Sequence, residues 1–266
     1  MVLSGGLGKG GAARLAARGA LRIGAGLVTV GCPSEAIPEN AARLDAIMLA
    51  EIESASALSA ELEARKIKAV CIGPGFGLGE RCRGYIEAGL KPGLRMVLDA
   101  DALTEFRDDP ETLFGMLHEA CVLTPHEGEF GRLFPDILDK LKAPATKGPA
   151  YSKVDATREA AKRAGCVVLF KGADTVIAEP SGRCAINSAH YERSAPWLAT
   201  AGSGDVLSGF ITGLLARGFT PMQAAETAAW LHVECALKFG PGLIAEDLPE
   251  QLPAVFRDLG LQAPMG

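Results

Sequence analysis

Short runs of four or five apolar residues recur along this chain, at 27–30, 69–72, 95–98, 120–123 and 167–170, with helical stretches such as 52–64 and 154–164 between them. A strand that is apolar throughout is buried on both faces, and intervening helices supply the crossovers that parallel strands need. The alternation predicts an α/β fold with a mostly parallel central sheet covered on both sides, a three-layer α/β/α sandwich. A short apolar run at 1–3, a glycine-rich turn at 5–11 and a helical pattern at 12–23 open the series. So abrupt a start carries the expectation that the native reading frame begins further upstream or that a leading segment has been lost. After Phe170 the rhythm breaks, because 175–179 and 183–187 flank Pro180-Ser181-Gly182 and read as a late antiparallel hairpin. Two long apolar-rich helices are expected at 204–217 and 221–239, the second with Thr220 as N-cap and Pro221 in its first position. Residues 138–149, rich in Lys, Pro and Gly, read as a mobile loop.

A chain of 266 residues fits one such domain, 1–266, and 48% hydrophobic with 22% charged residues is ordinary globular usage. A net charge of -5 argues against a nucleic-acid surface. The densest basic feature is Arg14, Arg18 and Arg22 on one helical face, which suits solvent or a subunit contact better than an anion. Seven scattered cysteines with no C-x-x-C pair and no leading signal-like apolar segment indicate a reduced, cytoplasmic protein, with Cys71, Cys121 and Cys166 as small core residues. No apolar stretch is long enough for a membrane span.

In an open α/β sheet, ligands bind beyond the carboxyl ends of the strands. Four successive strand ends carry Gly73-Pro74-Gly75, then Asp99 and Asp101, then Thr124-Pro125-His126-Glu127-Gly128-Glu129, then Lys171-Gly172-Ala173-Asp174. The turn Thr200-Ala201-Gly202-Ser203-Gly204-Asp205 enters a helix; two glycines leave backbone N–H groups open and the helix amino terminus adds positive potential, so an anion fits there. Asp205 either caps that helix or removes a proton from a substrate hydroxyl. His126 reads equally as a structural or a functional residue. Lys171, following a buried strand, needs an anion or an ion pair, for which Asp174 is the rival partner. Asp99 and Asp101 could hold a hydrated Mg²⁺, or serve as caps. No His/Cys cluster has zinc spacing, and no P-loop occurs. Gly6, Gly8 and Gly11 formally match a dinucleotide fingerprint, but the second strand leads to Gly31-Cys32-Pro33 where an acidic ribose partner belongs. Gly209 and Gly213, one turn apart, suit close helix packing.

Taken in order, Gly-Ala-Gly-Leu-Val-Thr-Val at 24–30, Ile-Gly-Pro-Gly at 72–75, Leu-Asp-Ala-Asp-Ala-Leu at 98–103, Thr-Pro-His-x-Gly-Glu at 124–129, Lys-Gly-Ala-x-Thr at 171–175 and Ala-Thr-Ala-Gly-Ser-Gly-Asp-Val-Leu-Ser-Gly at 199–209 resemble the ADP-dependent NAD(P)H-hydrate dehydratases. These are ribokinase-like proteins often fused behind an NAD(P)H-hydrate epimerase domain. The resemblance covers nearly the whole chain. It implies dehydration of the 6S hydrate of NADH or NADPH (NADHX, NADPHX) with cleavage of ADP to AMP and phosphate. It further implies that Ala12, Gly75, His126 and Asp205 contact the hydrate, and that Lys171, Gly172, Ala173, Asp174 and Thr175, with Gly202, Ser203 and Gly204, contact the nucleotide. Asp205 would be the base, ADP the co-substrate with Mg²⁺, a homo-oligomer the expected assembly, and an epimerase a possible partner. The chain departs from the family at Ser194-Ala195-Pro196-Trp197-Leu198, where an Asn and a Gly are usual, and it lacks the basic lead-in before the first strand. A small-molecule kinase of the same fold, such as a hydroxyethylthiazole or hydroxymethylpyrimidine kinase, is the nearest rival. An inactive nucleotide-binding sensor is the rival of another class.

Overall fold

A computed structural model describes residues 1–91, 93–146 and 148–261. The chain runs β1 (Val2–Leu3), α1 (Gly10–Arg22), β2 (Thr29–Cys32), α2 (Ile37–Ala41), β3 (Met48–Glu51), α3 (Ala55–Ala64), β4 (Ala69–Ile72), α4 (Glu80–Gly89) and β5 (Arg95–Leu98). It continues through α5 (Asp101–Thr104), α6 (Pro110–Phe114), β6 (Cys121–Leu123), α7 (Glu127–Leu133), α8 (Pro135–Lys142), α9 (Lys153–Ala164) and β7 (Val167–Phe170). The hairpin β8 (Asp174–Ala178) and β9 (Cys184–Ser188) precedes α10 (Ser203–Ala216), α11 (Pro221–Phe239) and α12 (Asp247–Asp258).

Nine strands form one sheet in the order β3-β2-β1-β4-β5-β6-β7-β8-β9. Pairing is parallel from β3 to β7, and antiparallel for β8 and β9. The period-2 alternation of a strand then sorts each apolar run between two cores. Ala69, Cys71, Val97, Val122, Val167 and Leu169 meet the helices of one face, including α1, α10 and α11. Val70, Ile72, Met96, Leu98, Cys121, Leu123, Val168 and Phe170 meet those of the other, including α4, α7 and α9. The expected sandwich is therefore present, with both faces buried.

Helices α1 and α10 lie unusually close because glycine faces backbone at their crossing. A Cβ at Gly209 would stand 2.1 Å from the Ala16 carbonyl oxygen, and one at Gly213 2.7 Å from that of Ala20, so both serve packing. The Thr220 cap and the bounds of α11 are as expected, with Gln223 completing a capping box.

Three local readings change. The second strand lies two residues later than expected: Leu27 is exposed, and Gly31 is inside the strand, where Ile52 and Leu3 press against it. Strand β3 is a strand the sequence reading leaves out although the apolar run Ala46-Ile47-Met48-Leu49-Ala50 leads into it; it is an edge strand that buries only Ala50 of its four residues. Residues 138–142 belong to α8 and not to a loop, and Lys147 of that stretch lies outside the described residues.

All seven cysteines are free thiols, and six of them, Cys71, Cys121 and Cys166 included, are buried. No helix among the described residues is long and apolar enough to cross a membrane. Arg18 and Arg22 both pair with Glu250 of α12, while Arg14 bonds Glu39 and Asn40, so the arginine face is satisfied within the chain.

Candidate active site

Strand order reverses between β1 and β4, and the chain leaves those two strands in opposite directions across the sheet. A crevice opens beyond the carboxyl ends of strands at such a switch point. The two loops that flank it touch: a Cβ on Gly5 would fall 2.1 Å from the Gly75 carbonyl oxygen. Gly75 has φ +60°, and its own Cβ would lie 2.9 Å from the Lys9 carbonyl oxygen and 3.3 Å from the Ala12 Cβ. Ala12 and Gly75 are thus neighbours at this switch point, although 63 residues separate them in sequence.

Further along the sheet, α10 points its amino terminus at the strand ends. Gly202 is the N-cap, with φ +87° and no side chain to offer the first turn. A side chain there would strain the backbone and strike Leu15 and Ala245. Ser203 bonds the Leu198 carbonyl at 2.6 Å through its hydroxyl. The Gly204 and Asp205 N–H groups have no acceptor among the described residues, as the first turn of an uncapped helix requires. Asp205 sits third in the helix, but its carboxylate caps nothing and has no hydrogen-bond partner among the described residues. The capping reading of Asp205 is therefore set aside.

Around Asp205 the charges are packed tightly. Asp99, almost wholly buried, accepts from Lys171 Nζ at 2.8 Å and from Ser208 Oγ at 2.6 Å, using one oxygen for each. Glu129, also buried, lies 3.8 Å from Lys171 Nζ. Burial pulls the Lys171 ammonium down, but Asp99 and Glu129 outweigh that and hold it above the ordinary lysine range. Burial pushes the Asp205 carboxyl up, and repulsion from Asp99 adds to this; Lys171 offsets only part of it, leaving Asp205 at about 7. A carboxylate that titrates near neutrality and lacks a partner is suited to accept a proton.

Two pairings expected from spacing do not form. Lys171 takes Asp99 and not Asp174, whose carboxylate instead faces His190 at 3.6 Å. Asp99 and Asp101 do not converge on an ion: Asp99 is committed to Lys171 and Ser208, and Asp101 accepts from the Gly77 N–H at 2.8 Å. Among the described residues no three His, Cys, Asp or Glu side chains gather as a metal site.

His126 caps α7. Its Nδ1 accepts from the Gly128 N–H at 2.9 Å and the Glu129 N–H at 3.3 Å, and Glu129 returns the bond to the His126 N–H. Because Nδ1 is an acceptor, the neutral ring carries its proton on Nε2. The half-exposed ring also lines a cavity, so its structural and functional readings are compatible.

That cavity, about 930 Å³, lies between the β7–β8 turn, the start of α10 and the inner face of α11. Lys171, Gly172, Ala173, Thr175, Ser203 and Gly204 line it, with Leu207, Ala229 and Val233 as apolar floor. Gly202 and Asp174 are not in the lining. Asp205 is not either; it lies on the side toward Asp99 and Asp101. The segment that departs from the family supplies another wall, with Ser194, Ala195, Pro196 and Leu198. Asn187 also lines it, but its amide is engaged by the Ala229 carbonyl and Arg193.

Two features had no sequence signal. Lys153, the first residue of α9, reaches the cavity and the β7–β8 turn. Glu39 fills the β1–α1 glycine turn, accepting from the Gly8 N–H at 2.7 Å and the Gly10 N–H at 3.3 Å. One glycine of the dinucleotide-type pattern, Gly8, and its neighbour Gly10 therefore hold one of the chain's own carboxylates.

A model of the NAD(P)H-hydrate dehydratase family matches residues 1–253. A bifunctional NAD(P)H-hydrate repair enzyme of Moorella thermoacetica is 35% identical over 97% of this chain and 49% of its own length, so the chain spans about half of such relatives. An ADP/ATP-dependent NAD(P)H-hydrate dehydratase of Bacillus subtilis, co-crystallised with ATP and Mg²⁺, superposes with a TM-score of 0.74 at 27% identity, covering 97% of this chain and 88% of that one. A ribokinase-like protein of Enterococcus faecalis superposes at 0.77 with 23% identity, covering 98% and 87%, and shares the fold.

Proposed function

Because this chain belongs to the NAD(P)H-hydrate dehydratase family, we propose that it dehydrates the 6S hydrate of NADH or NADPH at the expense of ADP, releasing AMP and phosphate. The observation that carries this reading is Asp205: a partly buried carboxylate held near neutrality, with no hydrogen-bond partner among the described residues, beside two N–H groups that have no acceptor among them. Its helix α10 packs on β4 and β5, with the Ala12–Gly75 pair at the β1/β4 switch point on one side and the cavity walled by Lys171, Gly172, Ala173 and Thr175 beyond β7 on the other. The hydrate takes the first of these and the adenine nucleotide the second, with Asp174 contributing through its backbone and Gly202 through the shape of the turn.

In this mechanism Asp205 accepts the proton of the ring hydroxyl, and the hydroxyl oxygen attacks the terminal phosphorus of ADP. The new O–P bond forms as the bond to AMP breaks. The N–H groups of Gly204 and Asp205 and the Lys171 ammonium face the charge that develops on the transferred group. The ring nitrogen lone pair then expels phosphate from the carbon, and loss of the neighbouring C–H proton restores the double bond. Phosphate leaves where hydroxide would not, which is why a nucleotide is consumed at all. The described residues offer no cage for Mg²⁺, so the ion would travel on the nucleotide phosphates with water, screening their charge; no step above depends on it.

The bifunctional relatives join this unit to a second activity, and we infer that an epimerase supplies the 6S hydrate here too, in the cytoplasm. Self-association is expected from the family and is read by the mass of the purified protein in solution. The reaction is tested by incubating the protein with hydrated NADH and ADP and following the return of reduced-nicotinamide absorbance. Recovery with release of AMP is expected. No recovery with ADP or ATP overturns the reading, and turnover of a thiazole or pyrimidine alcohol instead would assign a kinase.

A further inference from the structure

The β7–β8 turn is pinned by a residue outside every motif. Lys153 Nζ donates to the Lys171 carbonyl at 3.0 Å and to the Asp174 carbonyl at 2.6 Å, the two ends of that turn. It sits 4.2 Å from the centre of the Phe170 ring, a cation–π contact that fixes the ammonium at the end of β7. A Cβ on Gly172 would come within 2.7 Å of it, so turn and ammonium are fitted to one another. An ammonium has three donors and two are used. Lys153 also lines the cavity, which leaves the third for an occupant.

We propose that Lys153 is a positioning residue for the adenine nucleotide: it clips the Lys171 to Asp174 turn into its binding shape and adds a positive charge to the cavity wall that receives a nucleoside diphosphate. This rests on the reading of the cavity as the nucleotide site. Clipping and charge have separable consequences. Methionine keeps the stem and loses both; arginine keeps a cation with donors and cannot titrate in this range.

A pH signature follows from the surroundings. Asp174 and Glu127 face Lys153 from β8 and α7, and Lys171, His126 and His190 line the same cavity. Burial pulls the ammonium down to about 8, against the opposing pull of Asp174 and Glu127. The charge is present below that value and is lost above it, so nucleotide affinity should fall as pH rises through about 8.

The experiment is calorimetric titration of ADP into the full chain, on either side of about pH 8, for wild type, Lys153→Met and Lys153→Arg. Thermal unfolding identifies any variant that fails to fold. Lys153→Met is expected to weaken ADP binding roughly ten- to a hundredfold at neutral pH, the range for charged hydrogen bonds, and to flatten the pH dependence. In turnover assays the loss should fall on KM for ADP, leaving KM for the hydrate. Lys153→Arg is expected to bind within several-fold of wild type at neutral pH but without the decline above about 8. A Lys153→Met protein that binds ADP like wild type, or an arginine variant that keeps the wild-type decline, overturns the inference alone. A wild type that binds neither ADP nor ATP overturns the nucleotide-site reading, and this inference with it.

Discussion

Two glycine-rich turns open helices on the same face of the sheet, and they are filled in opposite ways. The β1–α1 turn hands its Gly8 and Gly10 N–H groups to Glu39. The turn into α10 leaves the Gly204 and Asp205 N–H groups open, and its only carboxylate, Asp205, has no partner among the described residues. In sequence both offer glycines before a helix: the first formally matches the dinucleotide pattern without its acidic partner, and the second reads as the anion site. What separates them is the occupant. A glycine pattern states that backbone N–H groups are accessible; only the fold says whether a residue some thirty positions away has already taken them.

The largest effect that tests this contrast is on turnover. If the open turn is the reacting one, Asp205→Asn should lower kcat by about 10² to 10⁴, the range for loss of a positioned base. ADP affinity should hold or improve, since a negative charge leaves the phosphate site. Rapid-quench measurement of AMP formation reads the first and calorimetry the second. A fall of less than about tenfold in kcat would remove Asp205 from the chemistry. In the wild type, kcat should rise with pH through about 7 as Asp205 loses its proton. In Asp205→Asn that limb should vanish from the residual rate.

Alanine at one glycine of each turn separates conformational strain from steric fit. Gly202 and Gly8 both have positive φ, at 87° and 76°. A Cβ at Gly202 meets Leu15 at 2.7 Å and Ala245 at 3.0 Å, whereas one at Gly8 meets nothing within 4 Å. Gly8→Ala should therefore cost only the backbone term, about 1 kcal/mol. Gly202→Ala should cost about 1–3 kcal/mol more and weaken ADP binding as the turn shifts. Denaturant unfolding of both variants measures the gap, and equal losses would mean that the α10 turn is no more tightly fitted than the other.

Asp205→Asn should also stabilise the protein without ligand, because the native carboxyl is held near 7 against an ordinary value of 3.8. A carboxyl whose folded value is raised costs stability once ionised, so the penalty is absent below about pH 4, grows as pH rises and is complete above about 7. Discounted for partial exposure it amounts to about 1–3 kcal/mol. The melting temperature of the variant should exceed that of wild type at pH 8 and converge with it near pH 4. A variant no more stable at pH 8 would mean that Asp205 is not held against its own charge.

The sandwich was legible because strands buried on both faces must be apolar throughout, and runs such as 69–72 and 167–170 say so without help from the rest of the chain. The edge strand β3 was passed over although residues 46–50 are apolar too, and it buries only one residue in four, so an apolar run alone does not tell a central strand from an edge. The proposed site residues divide in the same way. Gly75, His126, Lys171 and Asp205 stand at strand or helix ends, where local sequence reveals them. The ion-pair partner of Lys171 was not legible, because the rival candidate Asp174 is near in sequence while Asp99, 72 residues away, is near in space. Lys153 and Glu39 look like surface charges on ordinary helices. Their roles arise from long-range packing, which no local pattern encodes.

The smallest effect belongs to the filled turn and is the most direct probe of the contrast. Glu39→Gln keeps an acceptor for one N–H but removes the charge that answers Gly8, Gly10 and Arg14. Those same bonds, the Gly8 N–H first, hold the Glu39 carboxyl below the ordinary glutamate range, so the carboxylate is the form the turn is built around. The substitution should lower the melting temperature slightly at neutral pH, and less at acid pH where wild-type Glu39 is itself protonated. ADP affinity should stay near wild type, because Glu39 holds the β1–α1 turn beside Ala12 and Gly75, outside the lining of the nucleotide cavity. Should Glu39→Gln instead create a site for inorganic pyrophosphate at the first turn, the two turns would be shown to differ only in their occupant. Loss of ADP binding on the same substitution would break the contrast, since the filled turn would then belong to the nucleotide site as well.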